Sequence, residues 1–155
     1  MLLDALLQVS TAQVVAAAST VVSTDSIDLS MASSGTTSNQ PRDMGPGENL
    51  FACFNLDSNA GSTVQFQIIS SPNANLTSPV VLVSSGVIAA AELTAGRQPV
   101  CIPLASSALK TLPLGNRYLG VQYVTGAGTA TTITAYFTDS EVAANKYYNL
   151  NFTVL

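Results

Sequence analysis

The feature that most constrains the fold is a series of short segments in which apolar and polar residues alternate. The alternation is clearest in four segments: 48–57, 63–69, 117–125 and 130–138. In the second of them, Val64, Phe66 and Ile68 are separated by glutamines. A period of two places the apolar side chains on one face of a β-strand. Seven or eight such strands, joined by turn residues and without helices of useful length, predict an all-β fold, an antiparallel β-sandwich or jelly roll.

The length of the chain and its irregular segments predict the domain organisation. A chain of 155 residues forms one domain around one core. We expect the sandwich to span 20–140, with a long loop at 30–47 that is rich in Ser, Gly, Pro and Asn. Residues 1–19 are then an extended N-terminal arm that contacts other molecules, and residues 141–155 are a C-terminal tail. The alternative is that each end adds an edge strand to the sheets of its own chain.

Two apolar segments between the clear strands allow further local predictions. Residues 79–83 form a continuous apolar run, which predicts an interior strand because both faces of such a strand are covered. Residues 87–95 fit either one helical turn or another strand. Neither segment changes the predicted fold class.

Features that would indicate secretion are weak in this sequence. The apolar run at 1–18 lacks a basic start and contains Asp4 and Gln8, which argues against a signal peptide or a membrane span. Cys53 and Cys101 lie in separate predicted strands and form no CxxC motif. We expect two buried free thiols, and a disulfide between neighbouring strands is the alternative for a secreted protein.

Charge is scarce, and its distribution excludes one class of partner. Charged residues make up 9% of the chain, the net charge is −4, and there is no histidine or tryptophan. The basic residues are scattered: Arg42, Arg97, Lys110, Arg117 and Lys146. Nucleic-acid binding depends on clustered Lys and Arg, so we expect no nucleic-acid partner.

The residues that usually build catalytic and metal sites are also nearly absent. Without histidine, a serine nucleophile would need a lysine or a carboxylate as its base, and no serine lies in an elbow-type motif. Asp57, Asn59 and Gly61 resemble the start of a calcium loop, but the twelfth position is Ile68 rather than glutamate. We therefore expect no enzymatic activity, no cofactor and no metal site.

Several short motifs together resemble one known family. In chain order they are LD at 3–4, STAQ at 10–13, STDSIDL at 23–29, RDMGPGE at 42–48, VQFQ at 64–67 and RYLGVQY at 117–123. These motifs, which in this order cover most of the chain, resemble those of the jelly-roll cementing, or decoration, proteins of tailed-phage capsids. The resemblance agrees with the fold class that the alternation predicts.

The resemblance implies a structural protein of the phage head with no enzymatic activity. Such a protein binds the outside of the expanded capsid, bridges neighbouring major capsid protein subunits and resists the pressure of the packaged DNA. Its implied partners are the major capsid protein and further copies of itself, as a homodimer or homotrimer, without nucleic acid or membrane. Its implied location is the outer capsid surface of the virion, after assembly in the bacterial cytoplasm.

The expected contact residues lie at the two ends of the chain and in two charged segments. They are Leu2, Leu3, Leu6, Leu7, Arg42, Asp43, Arg117, Tyr147, Tyr148 and Phe152. For Arg42 the alternative is an ion pair with an acid beside a glycine turn, and for Arg117 it is an ordinary charge at a strand end. We also expect that deletion of residues 1–9 leaves the sandwich folded and weakens assembly.

Two other functions remain open at the level of the sequence. A lectin-like or adhesin jelly roll would need exposed aromatic residues, for which the candidates are Tyr118, Tyr123, Tyr136, Tyr147 and Tyr148. A pilin-like subunit would need a secretory signal and a disulfide between Cys53 and Cys101.

Overall fold

The computed structural model describes residues 7–29, 50–110 and 112–139, and most of their regular structure is strand. The strands are β1 (Gln8–Val15), β2 (Thr20–Val22), β3 (Ile27–Asp28), β4 (Leu50–Leu56), β5 (Val64–Ser71), β6 (Val80–Ile88), β7 (Val100–Leu104), β8 (Tyr118–Thr125) and β9 (Thr131–Thr138). A 3₁₀ helix at Ala90–Glu92 follows β6, and the short helix α1, Ser106–Lys110, follows β7. Within these ranges no helix is long and apolar enough to cross a membrane.

The strands form two antiparallel sheets that pack face to face. The first sheet has the order β1-β9-β4-β7, and the second has the order β2-β8-β5-β6. The short strand β3 also pairs with β8, so β2 and β3 are two parts of one interrupted edge strand. Two four-stranded antiparallel sheets with crossing connections make a jelly roll. The predicted fold class is confirmed.

The core between the sheets is centred on three aromatic rings. Phe54 of the first sheet stacks on Phe66 of the second, with ring centroids 4.5 Å apart. Tyr123 meets both rings edge-on, at centroid distances of 6.1 and 6.3 Å. All three side chains are fully buried. Because the rings come from both sheets, their contacts hold the two sheets together.

A chain of hydrogen bonds connects this core to β1 and β2. The Tyr123 hydroxyl donates to Ser10 Oγ at 2.7 Å, and Ser10 Oγ donates to Gln13 Oε1 at 2.7 Å. Gln13 Nε2 then donates to the carbonyl oxygen of Val22 at 2.8 Å. Buried polar groups are costly when unpaired, so these bonds allow the hydroxyl groups of Tyr123 and Ser10 to lie inside the sandwich.

We expect Tyr123→Phe to lower the free energy of unfolding by about 1 kcal/mol, because Ser10 Oγ loses its donor. Burial also raises the pKa of the Tyr123 hydroxyl above its ordinary value. The unfolded chain therefore releases this proton first, and the stability of the wild type should fall as the pH rises above about 10. Urea unfolding at neutral and alkaline pH measures both effects. The free energy of unfolding should fall less steeply at alkaline pH in Tyr123→Phe than in the wild type. Equal declines in the two proteins would contradict the burial of the Tyr123 hydroxyl.

The structure resolves the alternatives for residues 8–15. These residues form β1, which pairs with β9 of the same chain. Val9 and Val15 are buried in the core, and Leu7 packs against it. This part of the predicted arm is therefore an edge strand of its own sheet, because its apolar side chains fill the sandwich. Deletion of residues 1–9 would remove Val9 from the core, so such a deletion should destabilise the sandwich itself as well as any assembly.

The remaining predictions about the ends of the chain and the long loop fall on other residues. Residues 1–6, 30–49 and 140–155 lie outside the described ranges. The predicted loop at 30–47 and the predicted tail at 141–155 belong to them. The described residues therefore test neither the loop nor the tail, and both stay predictions.

Strand β6 lies at the edge of its sheet, whereas the apolar run at 79–83 predicts an interior strand. Among the described strands, β6 has a neighbour on one side only, which is β5. Leu82 and Val83 pack against the core, but Val80 and Val81 are exposed. The prediction of an interior strand is therefore wrong. An apolar run alone does not show whether both faces of its strand will be covered. Residues 87–95 combine both predicted alternatives: the end of β6 and one 3₁₀ turn.

Cys53 and Cys101 form a disulfide, so the prediction of free thiols is wrong. The two residues are direct partners in the pairing of β4 with β7, and their Cα atoms lie 4.2 Å apart. Both lie on the outer side of the first sheet, where Cys53 packs with Tyr136 and Phe51. The two cysteines are 48 residues apart in the sequence, and they meet because of the register in which β4 pairs with β7. The spacing of the cysteines does not reveal this register.

Candidate interaction surface

The charged residues of the described ranges are almost entirely excluded from the strands. They are Asp25, Asp28, Asp57, Glu92, Arg97, Lys110, Arg117 and Asp139. Of these, only Asp28 belongs to a strand, and it is the last residue of β3. The broad outer surfaces of the sandwich are therefore built from neutral side chains, and the charges lie in the connections and at strand ends.

Apart from Asp28, which pairs with Tyr118 at one corner and binds Arg117, the outer side of the second sheet is a surface without charge. Because Phe66, Ile68 and Tyr123 point into the core, the residues that alternate with them point outward. The pairings of β2, β8, β5 and β6 place nine neutral residues here, which we call the uncharged face: Thr20, Val22, Gln65, Gln67, Val81, Ser84, Val87, Gln122 and Val124. Their side chains offer methyl, amide and hydroxyl groups to a partner.

The exposure of the uncharged face increases toward β6. Gln122, on the central strand β8, is 9% exposed. At the edge, Val81 is 45% exposed and Val87 is 70% exposed. Ser84 lies between these valines and accepts a hydrogen bond from Gln65 Nε2 at 2.7 Å. The β6 side of the face, together with Thr20 at the β2 edge, is thus open to another molecule.

The connection between β5 and β6 covers the other end of this sheet. Leu76 of this connection is 2% exposed. It packs so closely over Gly120 that a Cβ atom there would lie 2.4 Å from Leu76 Cδ1. Ser71 Oγ donates to the Thr77 carbonyl oxygen at 2.6 Å, which ties the connection to the end of β5. This end of the sheet is therefore covered by the chain itself.

Two of the predicted contact residues lie in the described ranges, and both have partners within the chain. Leu7 is half-buried and packs against the core. The Arg117 guanidinium donates to both carboxylate oxygens of Asp28 and lies over the ring of Tyr118, 4.9 Å from its centroid. The hydrogen bond to Asp28 raises the pKa of Arg117. The side chain of Arg117 remains 47% exposed, so a contact with another molecule stays a prediction.

The structure places the two described contact residues, Leu7 and Arg117, apart from each other. The other eight lie outside the described ranges: Leu2, Leu3, Leu6, Arg42, Asp43, Tyr147, Tyr148 and Phe152. Leu7 lies beside β1 of the first sheet, whereas Arg117 lies beside β8 of the second. Neither belongs to the uncharged face.

Sequence reasoning missed the exposed residues of β6. The apolar run at 79–83 predicts an interior strand, in which Val81 would be covered, and Ser84 and Val87 are ordinary residues of a strand. One signal was available, because residues 58–91 contain no charged residue. A long uncharged segment that includes a sheet edge lacks the charged side chains with which many edge strands prevent pairing with another chain.

The three described tyrosines and the aspartate turn do not form the alternative sites, and the other two candidates, Tyr147 and Tyr148, lie outside the described residues. Tyr123 and Tyr136 are buried, and Tyr118 lies beneath Arg117. Asp57 Oδ2 accepts a hydrogen bond from Thr134 Oγ1 at 2.6 Å, and Asn59 Oδ1 accepts one from the Ala95 amide at 2.7 Å. Among the residues that the structure describes, no group of three or more His, Cys, Asp or Glu could hold a metal ion.

Comparison with known proteins identifies one family. The family model described as Bbp16 matches residues 9–137. The match begins in β1 and ends in β9, so it includes the whole jelly roll. No curated protein matches the chain.

Proposed function

The chain belongs to the Bbp16 family, and we propose that it is a non-enzymatic structural protein of the tailed-phage head. In this proposal it binds the outside of the mature capsid, bridges neighbouring major capsid protein subunits and stabilises the shell. Its partners are the major capsid protein and further copies of itself, as a dimer or a trimer, without nucleic acid or membrane. It resides on the outer capsid surface of the virion after assembly in the host cytoplasm.

The observation that carries this proposal is the scarcity of charge on the strands that form the outer surfaces of the jelly roll. Among the described strands only β3 contains a charged residue, Asp28. A charged side chain loses its hydration when a partner covers it, and a neutral surface avoids most of this cost. A protein that covers a capsid also binds at many equivalent places, so modest contacts per copy add up to a strong attachment.

The disulfide is compatible with a protein of the virion surface. Disulfides persist in oxidising surroundings, which include virion surfaces, and are rare in the reducing cytoplasm. A chain assembled in the host cytoplasm would therefore form the bond between Cys53 and Cys101 after the particle is released. A cross-link between two strands of the first sheet would then strengthen the sandwich when the particle is outside the cell.

The two other functions receive less support. Two of the tyrosines that a sugar-binding module would expose, Tyr123 and Tyr136, are buried. A pilin-like subunit requires the disulfide that the structure contains. However, pilins complete their sheets with a strand donated by another chain, and both sheets of this jelly roll are complete within the described residues. The phage-head proposal therefore remains the stronger one.

Co-sedimentation with phage heads tests the proposal. Purified protein is mixed with expanded heads that lack it, and with heads that already carry it as the matched control. We expect saturable binding to the undecorated heads, at a fixed number of copies per capsid subunit, and little binding to the control. Protein that remains in the supernatant with its own undecorated heads would contradict the proposal and favour a ligand-binding jelly roll.

A further inference from the structure

We propose that the jelly roll binds the major capsid protein through one of its two ends and points the other end away from the shell. The binding end, which we call the exit end, includes the connections at 72–79 and 112–117. The other end, which we call the closed end, is formed by four connections: 16–19, 57–63, 89–99 and 126–130. This orientation rests on the proposed capsid role and names the surface that carries it out.

Three segments outside the described ranges join the jelly roll close to one another. Residues 1–6 precede β1, residues 30–49 lie between β3 and β4, and residues 140–155 follow β9. Together they contain eight of the ten predicted contact residues. The end of the jelly roll to which they are attached is therefore the end nearest to most of the predicted contacts.

The pairing of the strands places all of these attachments at the exit end. In the first sheet the starts of β1 and β4 pair with the end of β9, and in the second sheet the end of β3 pairs with the start of β8. The short connection at 126–130 joins the end of β8 to the start of β9. The start of β8 and the end of β9 consequently lie at the opposite end of the sandwich, which is the exit end because 112–117 lead into β8 there.

Attachment at one end allows one copy to reach more than one capsid subunit. Residues 1–6 can span at most about 20 Å and residues 140–155 at most about 50 Å, because an extended chain advances about 3.3 Å per residue. A molecule that stands on its exit end therefore has enough chain at the capsid surface to contact neighbouring subunits.

The described residues of the exit end also present side chains that a partner could cover. Leu114 is fully exposed, and Arg117, a predicted contact residue of the same connection, is 47% exposed. This connection is fixed to the end of β5, because the Arg117 amide donates to the Ser71 carbonyl oxygen at 3.1 Å and Asn116 Nδ2 donates to Ser70 Oγ at 2.9 Å. Covering a leucine held in this way removes apolar surface from water, which favours binding.

The closed end offers less to a partner because its four connections bind each other. The Ala18 amide donates to the Gly126 carbonyl oxygen at 2.8 Å, and the Gly126 amide donates to the Thr63 carbonyl oxygen at 2.9 Å. The Ala60 amide donates to the Leu93 carbonyl oxygen at 2.9 Å. These bonds join the four connections in a row, so the main-chain groups that form them are satisfied within the chain.

The side chains of the closed end are small or buried. The connection at 126–130 reads GAGTA, and residues 58–62 read SNAGS. These two connections are in such close contact that Thr129 leaves no room for a Cβ atom at Gly61. All four connections are fully described, and their one leucine, Leu93, is buried. The closed end therefore has no exposed leucine comparable to Leu114.

Protection of introduced thiols on phage heads tests the orientation. Leu114→Cys places a thiol at the exit end, and Ala127→Cys places one at an exposed position of the closed end. Each variant is bound to expanded, undecorated heads and treated with a bulky maleimide, and its rate of labelling is compared with that of the free protein. On heads we expect Leu114→Cys to be labelled about 10-fold more slowly, because the interface excludes the reagent. The rate for Ala127→Cys should be unchanged, and wild-type protein measures the background from Cys53 and Cys101.

Substitution by aspartate gives a second measurement that needs no labelling. Leu114→Asp places a charge where the capsid would cover it, and we expect the Kd for undecorated heads to rise by about 10-fold. Ala127→Asp adds the same charge at the closed end and should leave this Kd unchanged. Urea unfolding of each variant verifies that the jelly roll is folded.

The orientation is wrong if Ala127→Cys is slowed on heads as much as Leu114→Cys or more. It is also wrong if Leu114→Cys is already protected in the free protein, because a second copy would then occupy the exit end. Failure of the proposed function gives a different result, since the protein would then not bind to the heads at all. Protein that binds with its closed end protected would contradict the orientation and leave the capsid role standing.

Discussion

Replacement of Phe54 by alanine should lower the free energy of unfolding by about 4 kcal/mol. Phe54 is fully buried, stacks on Phe66 at 4.5 Å between ring centroids and meets Tyr123 edge-on. Its removal leaves a cavity between the two sheets and abolishes the aromatic contacts that join them. Domains are stable by only about 5–15 kcal/mol, so a large part of the stability should be lost.

Urea unfolding at equilibrium measures this effect, and Phe51→Ala is the matched control. Phe51 lies on the same strand but is half-buried on the outer side of the sheet. Its loss should cost less, because it removes fewer contacts and opens no cavity in the core. A loss of stability from Phe51→Ala that equals or exceeds the loss from Phe54→Ala would contradict the position of the core.

Removal of the disulfide is the second large effect that we expect. The bond between Cys53 and Cys101 closes a loop over a sequence separation of 48 residues. A cross-link of this length restricts the unfolded chain and stabilises the native state by about 4 kcal/mol in the chain-entropy model. Wild-type protein should therefore unfold at a much lower urea concentration in the presence of a strong reductant.

The double variant Cys53→Ala with Cys101→Ala provides the control. It should unfold at a low urea concentration both with and without the reductant, because it has no bond to reduce. Titration of the thiols in unfolded wild-type protein gives an independent measurement. No reactive thiol is expected before reduction, and two would show that the bond is absent.

Much of the fold could be predicted from local alternation. The period of two at Val64, Phe66 and Ile68 identified the inward residues of β5, because a strand has one buried face in a sandwich. The neighbouring glutamines lie on the outer side, as the pattern predicts. The absence of helices of useful length between the strands then favoured a two-sheet architecture.

The order of the strands within each sheet could not be predicted in the same way. This order decides that β6 lies at an edge, so that Val81 is exposed despite the apolar run around it. It also decides that Cys53 and Cys101 are opposite each other. Pairings between strands far apart in sequence leave no local pattern, so both predictions from the sequence were wrong.

Of the candidate surface, only its lack of charge could be predicted from the sequence. Charged residues make up 9% of the chain, which predicts that most of its surface is neutral. The particular contact residues were chosen from the ends of the chain and from isolated charges. Arg117 shows the weakness of that choice, because a lone arginine carries no sign of the aspartate that it meets in the fold. The uncharged face emerges only when four strands are placed side by side.

The most direct test of the capsid role extends the co-sedimentation experiment to the stability of the heads. Expanded, undecorated heads are saturated with the protein, and the temperature at which they fall apart is compared with that of untreated heads. We expect this temperature to rise with the number of bound copies and to stop rising when binding is saturated. Heads that bind a full complement of the protein and fall apart at the same temperature as untreated heads would contradict a cementing role.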